Sequence, residues 1–386
     1  MKRVSGELIP QSTAGESFEA YLPAPLPPSP DLALDIELLA SMDRANRALG
    51  RLDGLANALP ETHLFIYQYV RKEAVLSSQI EGTQSSLSDL LIHEMDGVPG
   101  VPMDDVKEVS NYVAALSHGL ERIREGFPLS LRLLREMHAV LLDSGRGAHA
   151  TPGEFRRSQN WLGGTRPGNA SFIPPPPQQL MECLDAFERY LHTPDNEMPA
   201  LLKAGLVHVQ FETIHPFLDG NGRLGRLLIT LLLCAENILH EPLLYLSLYF
   251  KTHRSEYYEQ LNRVRKTGDW EAWLKFFLSG VEETAQSAAD TAKLALDLFA
   301  KDRELIRTQG RIAPSCLQLH EAMQTRPVLN IAEACELTGI NRTSLGKCFG
   351  ILRELGIVTE LTQQKRNRYF AYLQYMDMLS EGTQPL

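Results

Sequence analysis

The chain has 386 residues, too many for one ordinary domain, and its length corresponds to two or three units of roughly 150 residues each. A hydrophobic fraction of 44% beside 22% charged residues excludes a chain disordered throughout and allows a sizeable core. Thirty-eight basic against 48 acidic side chains leave a net charge of −10, which excludes a nucleic-acid coat over the whole surface and confines any DNA contact to a local patch.

The first thirty residues, ending in the proline-rich run Pro23 to Pro30, read as an extended arm rather than a packed element. They carry no apolar signal segment, and the longest apolar run, Leu227 to Ala235, is far too short to span a membrane. The five cysteines Cys183, Cys234, Cys316, Cys335 and Cys348 are odd in number and form no CxxC pair, so neither a disulfide framework nor a zinc knuckle is encoded. A soluble protein of a reducing, cytoplasmic compartment with no membrane contact is expected.

From Asp31 the helical period takes over, through Leu34, Leu38, Leu52, Phe65, Tyr69 and Leu76, and it predicts a mainly α chain. One stretch breaks it. Between Thr151 and Gln178, two β-prone pieces, Ser158 to Leu162 and Ala170 to Ile173, flank the turn residues GGTRPGN, and Pro174 to Pro177 close the segment, which predicts a hairpin standing out on stiff legs. An alanine-rich helix from Glu282 to Arg307 reads as a polar spacer. Beyond it, Ile331 to Thr338, the turn Gly339 to Asn341, a helix Arg342 to Leu355 and strands around the loop Thr362 to Arg368 predict a helix-turn-helix with a two-stranded wing. No internal repeat is present. The expected division is 1–105, 106–280, a linker 281–310, and 311–386.

The chemistry is concentrated in His215 to Arg226, HPFLDGNGRLGR, immediately ahead of a strongly helical run. Taken singly, a histidine before proline, an Asp-Gly-Asn-Gly string and two arginines three apart read as loop, turn and solvated face. Together they point to a phosphate site. Gly220 and Gly222 free the backbone so that successive N–H groups converge on an anion, and the helix that follows adds its unsatisfied donors and positive end. Arg223 and Arg226 project from the first turn on one side, Asp219 offers a hard oxygen to Mg²⁺, and His215 offers a group that takes a proton near neutral pH.

These residues resemble the signature of the Fic family, HxFx(D/E)GN(G/K)RxxR, at every position: His215, Phe217, Asp219, Gly220, Asn221, Gly222, Arg223 and Arg226. The resemblance implies a Fic-type helical core with a small β-hairpin flap, joined here to a C-terminal winged helix-turn-helix, and transfer of AMP from ATP to a hydroxyl of a target protein with release of pyrophosphate. It implies His215 as general base and Asp219 as the ligand of Mg²⁺. Asn221 and the backbone through Gly222, Leu224 and Gly225 would hold phosphates, Arg223 would neutralise them, and Arg226 would reach the γ-phosphate. Glycine at 222, where related Doc kinases carry lysine, places the sequence on the AMP-transfer side.

Upstream, SSQIEG matches the family's inhibitory pattern (S/T)xxxE(G/N) with Ser77, Glu81 and Gly82, and implies a glutamate set against Arg226, where a carboxylate competes with phosphate for the same fork. The 160–173 hairpin resembles the family's flap, on which an extended target segment docks. Tyr257, of the pair Tyr257 and Tyr258, resembles an adenine-pocket residue. The C-terminal module, with Asn341, Arg342, Ser344 and Lys347 outward and Lys365, Arg366 and Arg368 on the wing, fits DNA phosphates or protein docking. A homodimer is the assembly the resemblance implies. Two other activities compete: a nucleotide-sensing transcriptional regulator, and removal of AMP at the same site.

Overall fold

The computed structural model describes residues 3–13, 15–58, 62–84, 86, 87, 90, 103–145, 147–193, 198–362 and 368–385. Helices dominate, as the sequence predicts, around one continuous apolar core whose members run from Leu38 to Leu379. No helix among the described residues is long and apolar enough to cross a membrane.

The first thirty residues depart from the expected arm. Strands β1 (Gly6–Thr13) and β2 (Glu16–Pro23) form an antiparallel hairpin in register from Gly6 with Pro23 to Thr13 with Glu16. Pro10 speaks against a strand in the sequence, yet the pairing accommodates it. The Tyr21 N–H leaves the hairpin and donates to the Ile173 carbonyl at 2.8 Å, so Tyr21 faces Leu8 in a non-hydrogen-bonded pair. Two residues away Glu19 faces Pro10 in the same kind of pair, and the N–H that proline lacks would have pointed away from β2.

Helix α1 (Ile36–Ala58) is followed by α2 (Thr62–Ile80), whose second half is buried on nearly all sides, polar residues included. Glu73 on α2 accepts from the Ser247 N–H at 3.0 Å and from the Tyr112 hydroxyl at 3.3 Å, and the Tyr69 hydroxyl donates to the Ala288 carbonyl at 2.8 Å. Then come α3 (Met103–Arg124), α4 (Leu131–Leu141), α5 (Leu180–Leu191), α6 (Ala200–Ile214) and α7 (Asn221–Ala235). Every residue of α6 from Leu201 to Ile214 is buried, so it is the central helix and shows no polar stripe. Two short helices, α8 (Ser247–Thr252) and α9 (Arg254–Thr267), lead into α10 (Trp270–Arg307).

The alanine-rich stretch expected as a spacer is the larger part of α10. Five of its alanines, Ala285, Ala288, Ala289, Ala292 and Ala295, are buried together with Leu298, Phe299 and Ile306, and the helix lies along α1. Small side chains let two helix backbones approach closely, so an alanine run that reads as mere propensity is here an interface. The expected boundary at 280/281 falls inside this one helix.

After α11 (Ala313–Thr325), β3 (Val328–Asn330), α12 (Ile331–Thr338), α13 (Arg342–Glu354), β4 (Thr359–Glu360), β5 (Tyr369–Ala371) and α14 (Leu373–Ser380) follow, with the strands ordered β3-β5-β4, all antiparallel. Gly339 ends α12 at φ +70°, and Asn341 caps α13 by accepting from the Ser344 N–H. Leu345, Phe349 and Leu352 are buried while Arg342 and Lys347 are exposed. Of the expected basic wing, Lys365 and Arg366 lie outside the described residues, and Arg368 pairs with Glu360 at 3.4 Å.

This C-terminal module lies against the rest of the chain. Tyr375 meets Phe299 of α10 edge-on at 4.9 Å, and the Tyr372 hydroxyl donates to Asp302 at 2.5 Å. Past α14 the backbone crosses α2 and α8. Gln79 donates to the Thr383 carbonyl at 2.7 Å, and Lys251 donates to the carbonyls of Gly382 and Gln384.

The flap is less regular than expected and does not stand free. It contains a single β-bridge, Leu162 with Phe172, closed by Gly163 at φ +66° and Gly164 at φ +75° and by a short 3₁₀ turn, Pro167–Asn169. Pro174 to Pro176 are buried rather than standing clear, β2 joins Ile173 at the base, and Arg166 pairs with Glu16 at the tip, 3.1 Å away. Proline carbonyls remain strong acceptors, and the fold uses them to seat both legs.

Candidate active site

The loop between α6 and α7 is held from three sides. His215 ends α6 in the left-handed region, at φ +50° and ψ 61°, and Gly220 enters α7 at φ +76°. The Asn221 amide accepts from the Phe217 N–H and donates to the Phe217 carbonyl, both at 2.9 Å. Its side chain thus clasps the loop, and its backbone N–H lies in the first turn of α7. His138 on α4 accepts the Gly153 N–H at Nδ1 (2.8 Å), so its proton sits on Nε2 and is donated to the Asp219 carbonyl at 3.0 Å. The ring stacks on Phe217 at 3.7 Å, and burial pulls its pKa down to about 4, which keeps it neutral in this role.

The open end of α7 carries the two arginines. Arg226 donates from Nε to the Ser77 hydroxyl at 2.8 Å, and from Nη2 to the Ser77 carbonyl at 3.0 Å and to the Glu81 carboxylate at 2.7 Å. Ser77 and Glu81 lie one turn apart at the end of α2, and Gly82 leaves the helix at φ +105°. A Cβ at Gly222 would overlap the Glu81 carboxylate, so that glycine makes the close approach possible. Burial pushes the Glu81 carboxyl up, but the charge of Arg226 and its hydrogen bond outweigh this and hold it below the ordinary range.

Arg223 is turned differently. It is buried against Glu108 of α3 at 2.8 Å and lies 3.6 Å from Asp219. The Asp219 Oδ1 accepts from the Gly220 N–H at 2.6 Å, and its Oδ2 faces Gly147, where a Cβ would come within 2.7 Å.

Among the described residues the buried Nδ1 of His215 has no hydrogen-bond partner. Its pKa is pushed down to about 3, first by burial and then by the nearby charges of Arg265 and Arg156, so the ring is neutral at physiological pH and able to accept a proton. Behind the loop, His208 donates from Nδ1 to the Gly225 carbonyl at 3.0 Å and accepts from the Tyr257 hydroxyl at 2.8 Å. Tyr257 is 1% exposed and packs on Phe250 and Trp273 as part of the core. Tyr258 is the exposed member of the pair, with Arg254 over its ring.

A sequence model described as the Fic/DOC family N-terminal region matches residues 39–121, and one described as the Fic/DOC family matches residues 128–233. The chain belongs to the Fic family. Its Fic relatives include proteins named "Protein adenylyltransferase Fic" from Drosophila virilis, 27% identical over 307 residues, and from Culex quinquefasciatus, 30% identical over 248. These matches cover 75% and 61% of this chain and 58% and 46% of those proteins, so the chain spans about half the length of the curated relatives it matches. Among solved structures, a Fic family protein from Desulfovibrio desulfuricans is similar with a TM-score of 0.57 at 20% identity, over 88% of this chain and 97% of that one. A Fic domain containing signaling protein from Bacteroides thetaiotaomicron gives 0.53 at 17% identity, over 65% and 98%. Both likenesses speak to the fold.

The structure thus brings Ser77, Glu81, Gly222 and Arg226 together, and sets His215, Asp219 and Arg223 around the same loop. Sequence reading missed Glu108, His138, Arg156, His208 and Arg265. The signal for them was faint: no motif sets any of them apart from its neighbours, and its partner is a carbonyl or side chain distant along the chain.

Proposed function

We propose that this chain is a protein adenylyltransferase, moving AMP from ATP to a Tyr, Ser or Thr hydroxyl of a target protein and of itself, and that Glu81 restrains it. The observation that carries this reading is the Glu81 carboxylate seated on Arg226 above Gly222. A glycine loop running into a helix N-terminus is an anion site, and here a carboxylate of the chain itself sits in it. The names of the relatives support the same activity.

In this reading the target hydroxyl oxygen bonds to the α-phosphorus, the bond from that phosphorus to the pyrophosphate oxygen breaks, and the hydroxyl proton passes to neutral His215. The N–H groups of the loop and of the first turn of α7 hold the phosphates in line, and Arg226, once freed from Glu81, takes the γ-phosphate. Glu108 holds Arg223 close to Asp219 and keeps its charge beside the phosphate path. Asp219, whose side chain is 36% exposed, would hold Mg²⁺, which would supply charge neutralisation on the phosphates. The C-terminal module fits a winged helix whose exposed Asn341, Arg342 and Lys347 recruit a protein target.

The test is incubation with Mg²⁺ and ATP labelled at either the α- or the γ-phosphorus. Label arriving on protein from the α-position only, and not in His215→Ala, is the expected result. Transfer of γ-label would make the chain a kinase. ATP binding without any transfer, in Glu81→Gly as in the unmodified chain, would make it a nucleotide sensor.

A further inference from the structure

Arg156 stands immediately before the flap, in GEFRRS, and is 3% exposed. A buried guanidinium normally faces a carboxylate, because an uncompensated charge in the interior is expensive. Among the described residues no ion pair is formed by Arg156; its donors go to carbonyl oxygens. Nε donates to His215 at 2.9 Å, Nη1 to Ser158 at 3.3 Å, and Nη2 to Pro175 at 2.6 Å and Ile214 at 3.4 Å. Its own backbone N–H donates to the Pro216 carbonyl at 2.9 Å.

The distribution of those acceptors is informative. Ser158 is on the leg entering the flap, Pro175 on the leg leaving it, and Ile214 to Pro216 is the segment that carries the proposed base. One planar fork therefore joins three stretches of chain, alongside the bonds that tie them pairwise, Gln159 to the Pro174 carbonyl at 2.9 Å and Asn160 to the Phe217 carbonyl at 3.0 Å. His215 needs such support, since a residue with a Cβ is held in the left-handed region only when its surroundings over-determine it. Burial lowers the Arg156 pKa to about 10, which leaves the group charged at neutral pH and its donors at full strength.

We infer that Arg156 is a positioning residue that fixes the flap and His215 relative to each other, so that a segment lying on the flap presents its hydroxyl to the base. This rests on the AMP-transfer reading. Lysine cannot substitute: an ammonium on a flexible stem has no flat fork with which to reach carbonyls on three segments.

The experiment uses the full chain carrying Glu81→Gly, compared with the same chain also carrying Arg156→Lys or Arg156→Gln. Self-modification with α-labelled ATP and Mg²⁺ is followed by rate and by ATP concentration dependence, and amide hydrogen exchange is followed over 160–173 and 214–217. The expected result is that kcat for label transfer falls at least tenfold in both variants while KM for ATP stays within threefold. Flap amides should exchange at least tenfold faster. Unchanged transfer with unchanged flap exchange would overturn the inference, and so would a parallel loss of ATP affinity, which would mark Arg156 as support for the nest itself. If Glu81→Gly transfers no label at all, the activity reading fails, and the exchange arm still decides the brace. Should neither variant fold, exchange in the unmodified chain decides: Leu162, Ser171 and Phe172 should open together with Arg156, His215 and Phe217, and flap amides opening a hundredfold more often would refute the coupling.

Discussion

Replacing Glu81 by glycine isolates the contact on which the proposed restraint depends. The carboxylate accepts a charge-assisted hydrogen bond from Arg226 at 2.7 Å, and bonds of this kind contribute about 1.5–3 kcal/mol. About a third of the Glu81 side chain stays exposed, 31%, so solvent screening favours the lower part of that range, about 1.5–2 kcal/mol. Arg226 keeps both bonds to Ser77 in the variant, so it stays aimed at the nest. Since about 1.4 kcal/mol is tenfold, affinity for a non-hydrolysable ATP analogue should rise roughly 10- to 30-fold. Titration calorimetry with and without Mg²⁺ measures it, and transfer of α-label should rise in step. Glu81→Gln, which keeps the shape and loses the charge, should fall between the two. An affinity change below about threefold in Glu81→Gly would show that the carboxylate does not compete with phosphate, and the argument built on this contact would fail.

Three further outcomes follow from the interior. His138, His208, His215 and His320 are held neutral, their pKa values lowered to about 4, 3, 3 and 4 by burial, so each takes up a proton on unfolding below about 6.5 and the stability it confers is lost as pH falls from there. Glu73 and Glu212, raised to about 7 by burial, act in the opposite sense. Between about pH 4.5 and 6.5 four uptakes less two releases leave two protons, each worth about 1.4 kcal/mol per pH unit, so Tm should drop clearly from pH 6.5 to pH 5; an unchanged Tm refutes the buried-neutral assignment. Tyr257→Phe removes a buried hydrogen bond to His208 and should cost about 1–2 kcal/mol in urea unfolding without altering ATP affinity; loss of ATP affinity at constant stability would return Tyr257 to the pocket wall. Truncation after Ser380 leaves Gln79 and Lys251 without their carbonyl partners and should speed amide exchange at the end of α2, around Ser77 to Glu81, whereas unchanged exchange there would mean that the tail adds nothing to that helix.

The site was legible where its residues are contiguous. His215 to Arg226 lie in one loop and one helix turn, and backbone rules alone bring glycines, arginines and a helix N-terminus together. Ser77 and Glu81 were legible because a helix places residues four apart on one face. The supports were not, because His138, Glu108 and Arg156 reach carbonyls and side chains far along the chain, and nothing in a lone polar residue states its partner. The directions of the Asn221 amide, which closes the loop on Phe217, and of the Tyr257 hydroxyl, which meets His208, were not legible for a related reason: sequence identifies the group but not where it points. The first hairpin was hidden by the proline-rich run Pro23 to Pro30 that follows it, and the role of α10 by alanine, whose small size marks both a good helix former and a close helix contact.

Helix α10 has a mechanical consequence. Thirty-eight residues at about 1.5 Å each make a rod of roughly 57 Å, with Trp273 packed beside His208 behind the loop between α6 and α7 at one end and Phe299 against Tyr375 of the C-terminal module near the other. A swing of the module would have to break the Tyr375–Phe299 and Tyr372–Asp302 contacts that hold it to that rod. A protein gripped by the C-terminal module would be held at a fixed distance and bearing from His215, and which of its hydroxyls arrive there would be a matter of reach: the helix would act as a ruler.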